Sequence, residues 1–188
     1  MASGNFALSV PSFWKTVMPS SSYMAALDPD LSRFQRGGGK LILWHGWNDQ
    51  HISPQNTLLF WDAMRAAMGG DSVDRFARLY LFPGMAHCGG GEGPNTFDVM
   101  TPLMSWVERG TSPYRMIANN ASRSRPVYPY PAVARYDGSG STDDAANFFA
   151  YIPRDLVRND ADWVGQRLFS GNYQTWPRAV NGKLVLSR

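Results

Sequence analysis

The sequence has a single cysteine, no long apolar run and no cluster of basic residues. That cysteine, Cys88, cannot form a disulfide within the chain, so it is a free thiol or half of a bridge to a cysteine elsewhere. No window approaches the roughly 18 consecutive apolar residues of a membrane-spanning helix, so no membrane partner is expected. The formal net charge is only +3, which argues against a nucleic-acid partner.

The N-terminal stretch MASGNFALSVPSFWK also lacks the charged and apolar regions of a signal peptide. A chain of 188 residues, 44% of them hydrophobic, is long enough for one domain with a core. Its patterning predicts an irregular N-terminal segment over 1–39 and a structured core over 40–117. An irregular segment rich in proline, glycine and tyrosine, with a C-terminal tail, is expected over 118–188.

Within the core segment, strand-like and helix-like stretches alternate. KLILWH (40–45) and RLYLF (78–82) are short apolar runs typical of strands buried on both faces of a parallel sheet. Between them, Ser53 and Pro54 predict the start of a helix that ends at Gly69. Such alternation predicts an α/β fold, a parallel sheet with flanking helices.

Weaker patterns predict four further features. Residues 1–30 are turn-rich and predict a loose segment with one short helix. Thr101 and the proline after it are expected to cap a helix that ends at Gly110. Further along, a short helix is expected near Asp160–Phe169 and a strand at KLVL.

Two polar residues, Asp49 and His87, each lie in the loop just after one of the two predicted strands. In open α/β sheets, ligands bind at the carboxyl ends of strands. An acid followed along the chain by a histidine is also the order in which α/β-hydrolases complete a Ser, Asp, His triad. In such a triad the histidine moves the proton of the nucleophile and the acid orients the histidine. This pair is therefore the candidate catalytic site.

The same residues have simpler interpretations. An aspartate after a strand is often a turn or cap residue, and a histidine among glycines is often a surface residue. Cys88 could itself be a nucleophile paired with His87, although neighbouring side chains tend to point apart. His45 is expected to orient the loop by a backbone hydrogen bond, and His51 to be exposed to solvent.

Six segments, in order, carry a resemblance to a known family. They resemble the C-terminal part of the tannase/feruloyl esterase family, which includes the mono(hydroxyethyl) terephthalate hydrolases. The segments are DPDLSRF (28–34), KLILWHGWNDQ (40–50), SPQNT (53–57), LFPGMAHCGGGEGPN (81–95), SWVERG (105–110) and RPVYPYPAVARYDGSGSTDDAANF (125–148).

The resemblance implies the C-terminal part of an α/β-hydrolase sheet and the hydrolysis of carboxylic esters by a serine, histidine and aspartate. Asp49 matches the acid and His87 the base of that triad. Cys88 matches a cysteine bonded to the one immediately before the nucleophilic serine. The implied partner is a small-molecule aromatic ester, such as a feruloyl, galloyl or terephthaloyl ester. The parent protein is expected to be secreted or periplasmic.

The sequence also departs from the family. It has no nucleophile elbow of the G-x-S-x-G type, and SGS at 139–141 comes after the histidine. No segment matches the lid that carries the family's calcium site, so no metal or other cofactor is expected in this chain. We therefore expect a C-terminal segment that is inactive alone; the alternative is a non-catalytic fragment or pseudoenzyme module. A different α/β-hydrolase is a weaker alternative.

A further departure concerns a second disulfide. Family members commonly carry cysteines near the positions of Tyr128 and of Phe149 and Ala150, and none of these residues is a cysteine here. The absence at both positions fits the loss of a whole disulfide.

The sequence leaves open the oligomeric state and which aromatic ester is the substrate.

Overall fold

The computed structural model describes residues 28–154, 177–180 and 183–186. The expectations for the first 27 residues and for a helix near Asp160–Phe169 lie outside these ranges. The chain divides into two compact units. One comprises Pro29–Ala161, and the other comprises Met1–Asp28 together with Asp162–Arg188.

A pair of parallel strands is at the centre of the larger unit. After a short helix, α1 (Ser32–Arg36), strand β1 (Leu41–Gly46) pairs in parallel with β2 (Ala77–Phe82). The register places Leu41 opposite Ala77 and Gly46 opposite Phe82, so both strands end at the same edge. The two predicted strands are therefore confirmed, and they run parallel as expected.

Strand β2 is buried on both faces, because its alternate residues enter two different apolar clusters. Leu79 and Leu81 pack in the first cluster, and Tyr80 and Phe82 in the second. The far edge of β2 is also covered, since the backbone N–H of Tyr130 donates to the Leu79 carbonyl at 2.8 Å. The continuous apolar run in this strand follows from that double burial.

Strand β1, by contrast, is only half-buried, and the prediction of full burial on both faces is wrong for it. All but the last of its residues are partly exposed. Its side chains do pack on both clusters, Leu41 and Leu43 on the first and Ile42 and Trp44 on the second. Within the described residues, however, β1 pairs with another strand, β2, along one edge, and its other edge is not paired with a strand.

Helix α2 (Pro54–Met68) covers one face of the strand pair. It begins where the sequence predicts, because the Ser53 side chain accepts the backbone N–H of Gln55 at 3.3 Å. It ends at Gly69, also as predicted, and α3 (Gly70–Asp74) follows directly. The first apolar cluster joins the inner faces of these helices to the strands: Leu58, Trp61, Met64, Val73, Phe76, Ala77, Leu79 and Leu81.

Helix α4 (Met100–Arg109) ends at Gly110 as predicted, but its start differs from the prediction. Thr101 does not cap it. The carboxylate of Asp98 instead accepts the backbone N–H of Thr101 at 3.0 Å. The prediction was wrong because an acidic residue three positions earlier takes the N–H that a cap would satisfy.

The expectation of an irregular segment from residue 118 is also wrong, because four short strands lie there or enter it. Strands β3 (Met116–Asn119) and β4 (Ser124–Val127) form one antiparallel pair. Strands β5 (Val133–Tyr136) and β6 (Phe148–Tyr151) form another, with a 3₁₀ turn at Ala145–Asn147 between them. Strands of four residues give too little periodic pattern to be recognised in the sequence.

The smaller unit contains one described element, an antiparallel pair of β7 (Pro177–Val180) and β8 (Lys183–Leu186). Strand β8 is the predicted strand at KLVL, which is thereby confirmed. Across the described residues, every helix is too short or too polar to cross a bilayer.

Candidate active site

The loop that follows β1 is bonded directly to the loop that follows β2. The backbone N–H of Trp47 donates to the Phe82 carbonyl at 2.9 Å, and that of Asn48 donates to the Met85 carbonyl at 3.0 Å. A tight turn follows, in which the Asp49 N–H donates to the Gly46 carbonyl at 3.2 Å. The parallel register thus continues past the strands and holds Asp49 beside the second loop.

Gly46 allows the two loops to approach this closely. A Cβ atom built there would lie 2.7 Å from the carbonyl oxygen of Ala86 and closer still to that of Met85. Carbon and oxygen cannot approach so far without displacing the backbone, so a side chain at Gly46 would separate the loops.

The second loop is closed on itself by backbone contacts. The Ala86 N–H donates to the Gly90 carbonyl at 3.1 Å, and the Gly93 N–H donates to the Gly84 carbonyl at 3.0 Å. Gly91 has a φ of +88°, a conformation that favours glycine. His87 therefore projects from a loop whose shape is set by its own glycines.

The structure brings Asp49 and His87 together. Nδ1 of His87 lies 2.8 Å from Oδ2 of Asp49. The Asp49 side chain is 4% exposed, whereas that of His87 is 37% exposed. Within the described residues, Nε2 of His87 has no hydrogen-bond partner. The histidine thus has one nitrogen bonded to a buried carboxylate and the other available at the surface.

Both oxygens of Asp49 accept hydrogen bonds. Oδ1 accepts the backbone N–H groups of His51 at 2.8 Å and of Ile52 at 2.9 Å. Oδ2 is shared by His87 and by Nε2 of His45, which lies 3.0 Å away. Burial alone would raise the pKa of Asp49, but these hydrogen bonds, led by that of Ile52, outweigh it and hold the pKa far below its usual range. Asp49 is therefore a carboxylate at neutral pH.

His45 makes the predicted backbone contact and two side-chain contacts that sequence reasoning missed. Its Nε2 lies 3.0 Å from the Ile52 carbonyl oxygen, as expected for a loop-orienting residue. The same nitrogen reaches Asp49, and Nδ1 lies 2.7 Å from the hydroxyl of Thr57 in the first turn of α2. The short spacing between His45 and Asp49 was a usable signal, but nothing in the sequence indicated Thr57.

The third histidine, His51, is exposed, which confirms its prediction. Its ring packs edge-to-face against that of His87, with 5.3 Å between the ring centres. All three histidines of the sequence therefore gather around Asp49. Despite this gathering, no group of three histidine, cysteine or acidic side chains among the described residues has a geometry that could hold a metal ion.

A cleft of about 640 Å³ opens beside the two loops. Its wall includes residues from both loops and several aromatic rings of the following segment: Trp47, Pro83, Gly84, Tyr128, Tyr130 and Phe148. The polar side chains of Gln55, Glu92, Arg123 and Arg125 also line it. An aromatic wall with several polar groups fits a small organic molecule.

With this geometry established, comparison with known proteins identifies the family. The sequence model described as tannase and feruloyl esterase matches residues 6–151. The chain belongs to this family.

Individual relatives agree with the family match. The chain is 43% identical over 142 residues to mono(2-hydroxyethyl) terephthalate hydrolase of Piscinibacter sakaiensis, which covers 71% of this chain and 23% of the relative. It is 39% identical over 131 residues to a probable feruloyl esterase of Arthroderma benhamiae, covering 64% of this chain and 24% of that protein. The tannase of Aspergillus oryzae is 37% identical over 114 residues, covering 53% of this chain and 19% of the relative.

Solved structures of two esterases are similar to this chain over about two thirds of its length. A crystal structure of an esterase from Aspergillus oryzae superposes with a TM-score of 0.62 at 28% identity, covering 66% of this chain and 30% of the other. Feruloyl esterase B from the same organism superposes with a TM-score of 0.59 at 28% identity, covering 66% of this chain and 29% of the other. The chain thus spans roughly a quarter of the length of the family members it matches.

Cys88, the family's expected disulfide residue, lies directly after His87. It is exposed and forms no disulfide within the described part of the chain. Its φ of 56° is unusual for a residue other than glycine. Its pairing with a cysteine of the serine loop stays a prediction.

Tyr128 lies directly after β4, near a position where the resemblance implies a cysteine in other family members. It is buried, and its hydroxyl donates to the carbonyl oxygen of Phe148 at 3.2 Å. This hydrogen bond joins the end of β4 to the first residue of β6, and a disulfide between these regions in other members stays a prediction.

Proposed function

We propose that this chain supplies the base and the acid of a carboxylic-ester hydrolase that works by acyl transfer. The observation that carries the proposal is the 2.8 Å contact between Nδ1 of His87 and Oδ2 of Asp49. The two residues follow neighbouring parallel strands, at the edge where α/β folds bind their ligands. Membership of an esterase family supports the same reaction.

In the proposed reaction, each nitrogen of His87 has its own task. Nδ1 donates its hydrogen to the Asp49 carboxylate, so Nε2 is the nitrogen with a free lone pair. Nε2 takes the proton of a serine hydroxyl as that oxygen attacks the ester carbonyl, and it later returns the proton to the leaving alcohol. Asp49 stays ionised and stabilises the imidazolium that forms between these steps.

We place the attacking serine outside these 188 residues. The two serines of the SGS stretch are engaged locally: Ser139 donates to the Asp137 carboxylate at 3.0 Å, and the Ser141 hydroxyl accepts the Asp143 N–H at 3.1 Å. Neither is bonded to His87. The serine would be held beside His87 by a disulfide between Cys88 and the cysteine that precedes it, in an oxidising setting outside the cytoplasm.

The proposed substrates are esters of aromatic acids. The named relatives include hydrolases of terephthalate and feruloyl esters. The cleft beside the two loops supports this class, because the aromatic side chains of Trp47, Tyr128 and Tyr130 line it.

A chimera tests the proposed acid and base. Residues 28–151 would replace the matching segment of the Piscinibacter hydrolase, and turnover of mono(2-hydroxyethyl) terephthalate would be measured. We expect a folded chimera to be active, and its His87→Ala and Asp49→Asn variants to lose activity by about 10³-fold or more. A chimera that is folded by circular dichroism and inactive would refute the proposal, as would an active His87→Ala variant.

The 188-residue chain alone tests where the serine lies. We expect it to hydrolyse neither p-nitrophenyl acetate nor methyl ferulate above the level of its His87→Ala variant, and a fluorophosphonate probe to label no serine. Turnover that depends on His87, together with labelling of Ser139 or Ser141, would show that the chain carries its own nucleophile.

A further inference from the structure

Asp49 is bonded to two imidazole rings at the same oxygen, and the proposed triad uses one of them. Oδ2 lies 2.8 Å from Nδ1 of His87 and 3.0 Å from Nε2 of His45. The second ring belongs to β1 itself, and its side chain is only 12% exposed. This partly buried imidazole shares the carboxylate of the proposed acid and base.

The surroundings of His45 determine which of its nitrogens carries the hydrogen. Nε2 faces two oxygens that can only accept, the Asp49 carboxylate and the Ile52 carbonyl, each at 3.0 Å. A bare nitrogen facing two acceptors would be repelled by both, so Nε2 must bear the hydrogen. In the neutral ring, Nδ1 is then an acceptor, and the Thr57 hydroxyl, 2.7 Å away, is the donor that meets it.

We infer that Thr57 and His45 are positioning residues that act through Asp49, an assignment that rests on the proposed function. The acceptors at Nε2 fix the Nε2–H tautomer of His45, the Thr57 hydroxyl anchors the ring by donating to Nδ1, and the Nε2–H holds Oδ2 of Asp49 in place. The backbone N–H groups of His51 and Ile52 hold the other oxygen. With both oxygens held, the carboxylate presents Oδ2 to His87 in one orientation.

This arrangement also explains why the carboxylate needs no other support. Rotation of the Asp49 side chain would break four hydrogen bonds at once, two at each oxygen. His87, which is the more exposed ring, is thereby oriented by a buried group that cannot follow its movements. Through Asp49, Thr57 in α2 influences which nitrogen of His87 bears the hydrogen.

The experiment is a long-range ¹H–¹⁵N correlation spectrum of the 188-residue chain labelled in its histidines. Recorded at about pH 8, above the ordinary histidine range, it distinguishes the two tautomers of each ring. We expect His45 as a single Nε2–H tautomer and His87 with hydrogen on Nδ1. His45 with hydrogen on Nδ1, or protonated on both nitrogens, would overturn the inference.

Variants of Thr57 separate the hydrogen bond of its hydroxyl from simple packing. Thr57→Val keeps the shape and removes the hydroxyl, so we expect the Nδ1 resonance of His45 to move toward that of a nitrogen without a hydrogen-bond donor and the Nδ1–H signal of His87 to weaken. Thr57→Ser restores the hydroxyl, and we expect both signals to return. A Thr57→Val spectrum identical to that of the parent chain would contradict the role given to Thr57.

His51→Gln is the matched control. The substitution removes the imidazole that packs on His87. The contact of residue 51 with Asp49 is made by its backbone N–H and is kept, so the His45 tautomer should not change. None of these measurements needs hydrolysis. If His45 carried its hydrogen on Nδ1 while His87 still showed its Nδ1–H signal, this inference would be refuted and the proposed function would stand. If the chimera were inactive and the spectrum were as expected, the proposed function would be refuted and this inference would stand.

Discussion

The imidazole of His87 and the carboxylate of Asp49 meet at 2.8 Å although they lie on loops after different strands. The contact depends on a second one, between backbone atoms. The Asn48 N–H donates to the Met85 carbonyl and joins the two loops two residues before the imidazole. The geometry of the candidate site is thus an extension of the parallel strand pair, and changes in the loop contact should alter the site.

Replacing Gly46 with alanine tests this dependence. The new Cβ would collide with the carbonyl oxygens of Met85 and Ala86, so we expect a loss of about 1–3 kcal/mol in the free energy of unfolding, measured in urea. The His87 Nδ1–H signal should weaken as well. Gly37→Ala is the control, because its Cβ would meet the nearest atom, the Phe34 carbonyl oxygen, at an ordinary 3.4 Å. Equal stability of the two variants would contradict the close approach at Gly46.

The low pKa of Asp49 predicts how acid affects stability. Because hydrogen bonds hold this pKa below the ordinary value of about 3.9, the carboxylate stabilises the fold above that pH and loses its contribution as the pH falls further. Asp49→Asn should therefore have a lower free energy of unfolding than the parent at neutral pH. This difference in free energy should become smaller below about pH 4. Asp71→Asn, at an exposed site, is the control. A difference in unfolding free energy that does not change with pH would show that Asp49 acts by packing alone.

Tyr80 should contribute through a buried hydrogen bond. Its side chain is fully buried and its hydroxyl donates to the Pro113 carbonyl at 2.8 Å. Burial, opposed by the nearby Arg78, raises the pKa of this phenol above its ordinary range. Tyr80→Phe leaves the carbonyl without a partner and should cost about 1–3 kcal/mol of unfolding free energy. Tyr136→Phe removes a similar bond at the surface, to Gly140, and should cost less. Equal losses in thermal or urea unfolding would argue against the buried bond.

Two neighbouring leucines in α2 test the core. Leu58 is 3% exposed and packs against the strands, whereas Leu59 is 40% exposed. Leu58→Ala should lower the unfolding free energy by about 2–5 kcal/mol, because it leaves a cavity under the sheet. Leu59→Ala, the same change on the outer face, should lower it by less than 1 kcal/mol. If Leu59→Ala proved the more damaging, the assigned inner face of α2 would be wrong.

Local pattern predicted the elements that support the site. Ser53, Pro54 and Gly69 marked the ends of α2 correctly, because caps and breakers act within one turn of the chain. The two apolar runs predicted β1 and β2 for a similar reason, since side chains that pack on both faces leave a continuous apolar signal even in the half-buried β1. The start of α4 was missed because the helix already begins at Met100, and the Asp98 carboxylate accepts the N–H of Thr101 itself.

Some features of the candidate site could be predicted from the sequence, and others are seen only in the structure. The sequence by itself determined which residues end the strands, and so nominated Asp49 and His87 and identified the family they resemble. It did not show that His45 shares the carboxylate, that Thr57 meets the other side of that ring, or that residues after 118 pair as strands. Those facts join residues from separate elements, and the tertiary structure alone decided them, because such contacts depend on strand register and helix orientation.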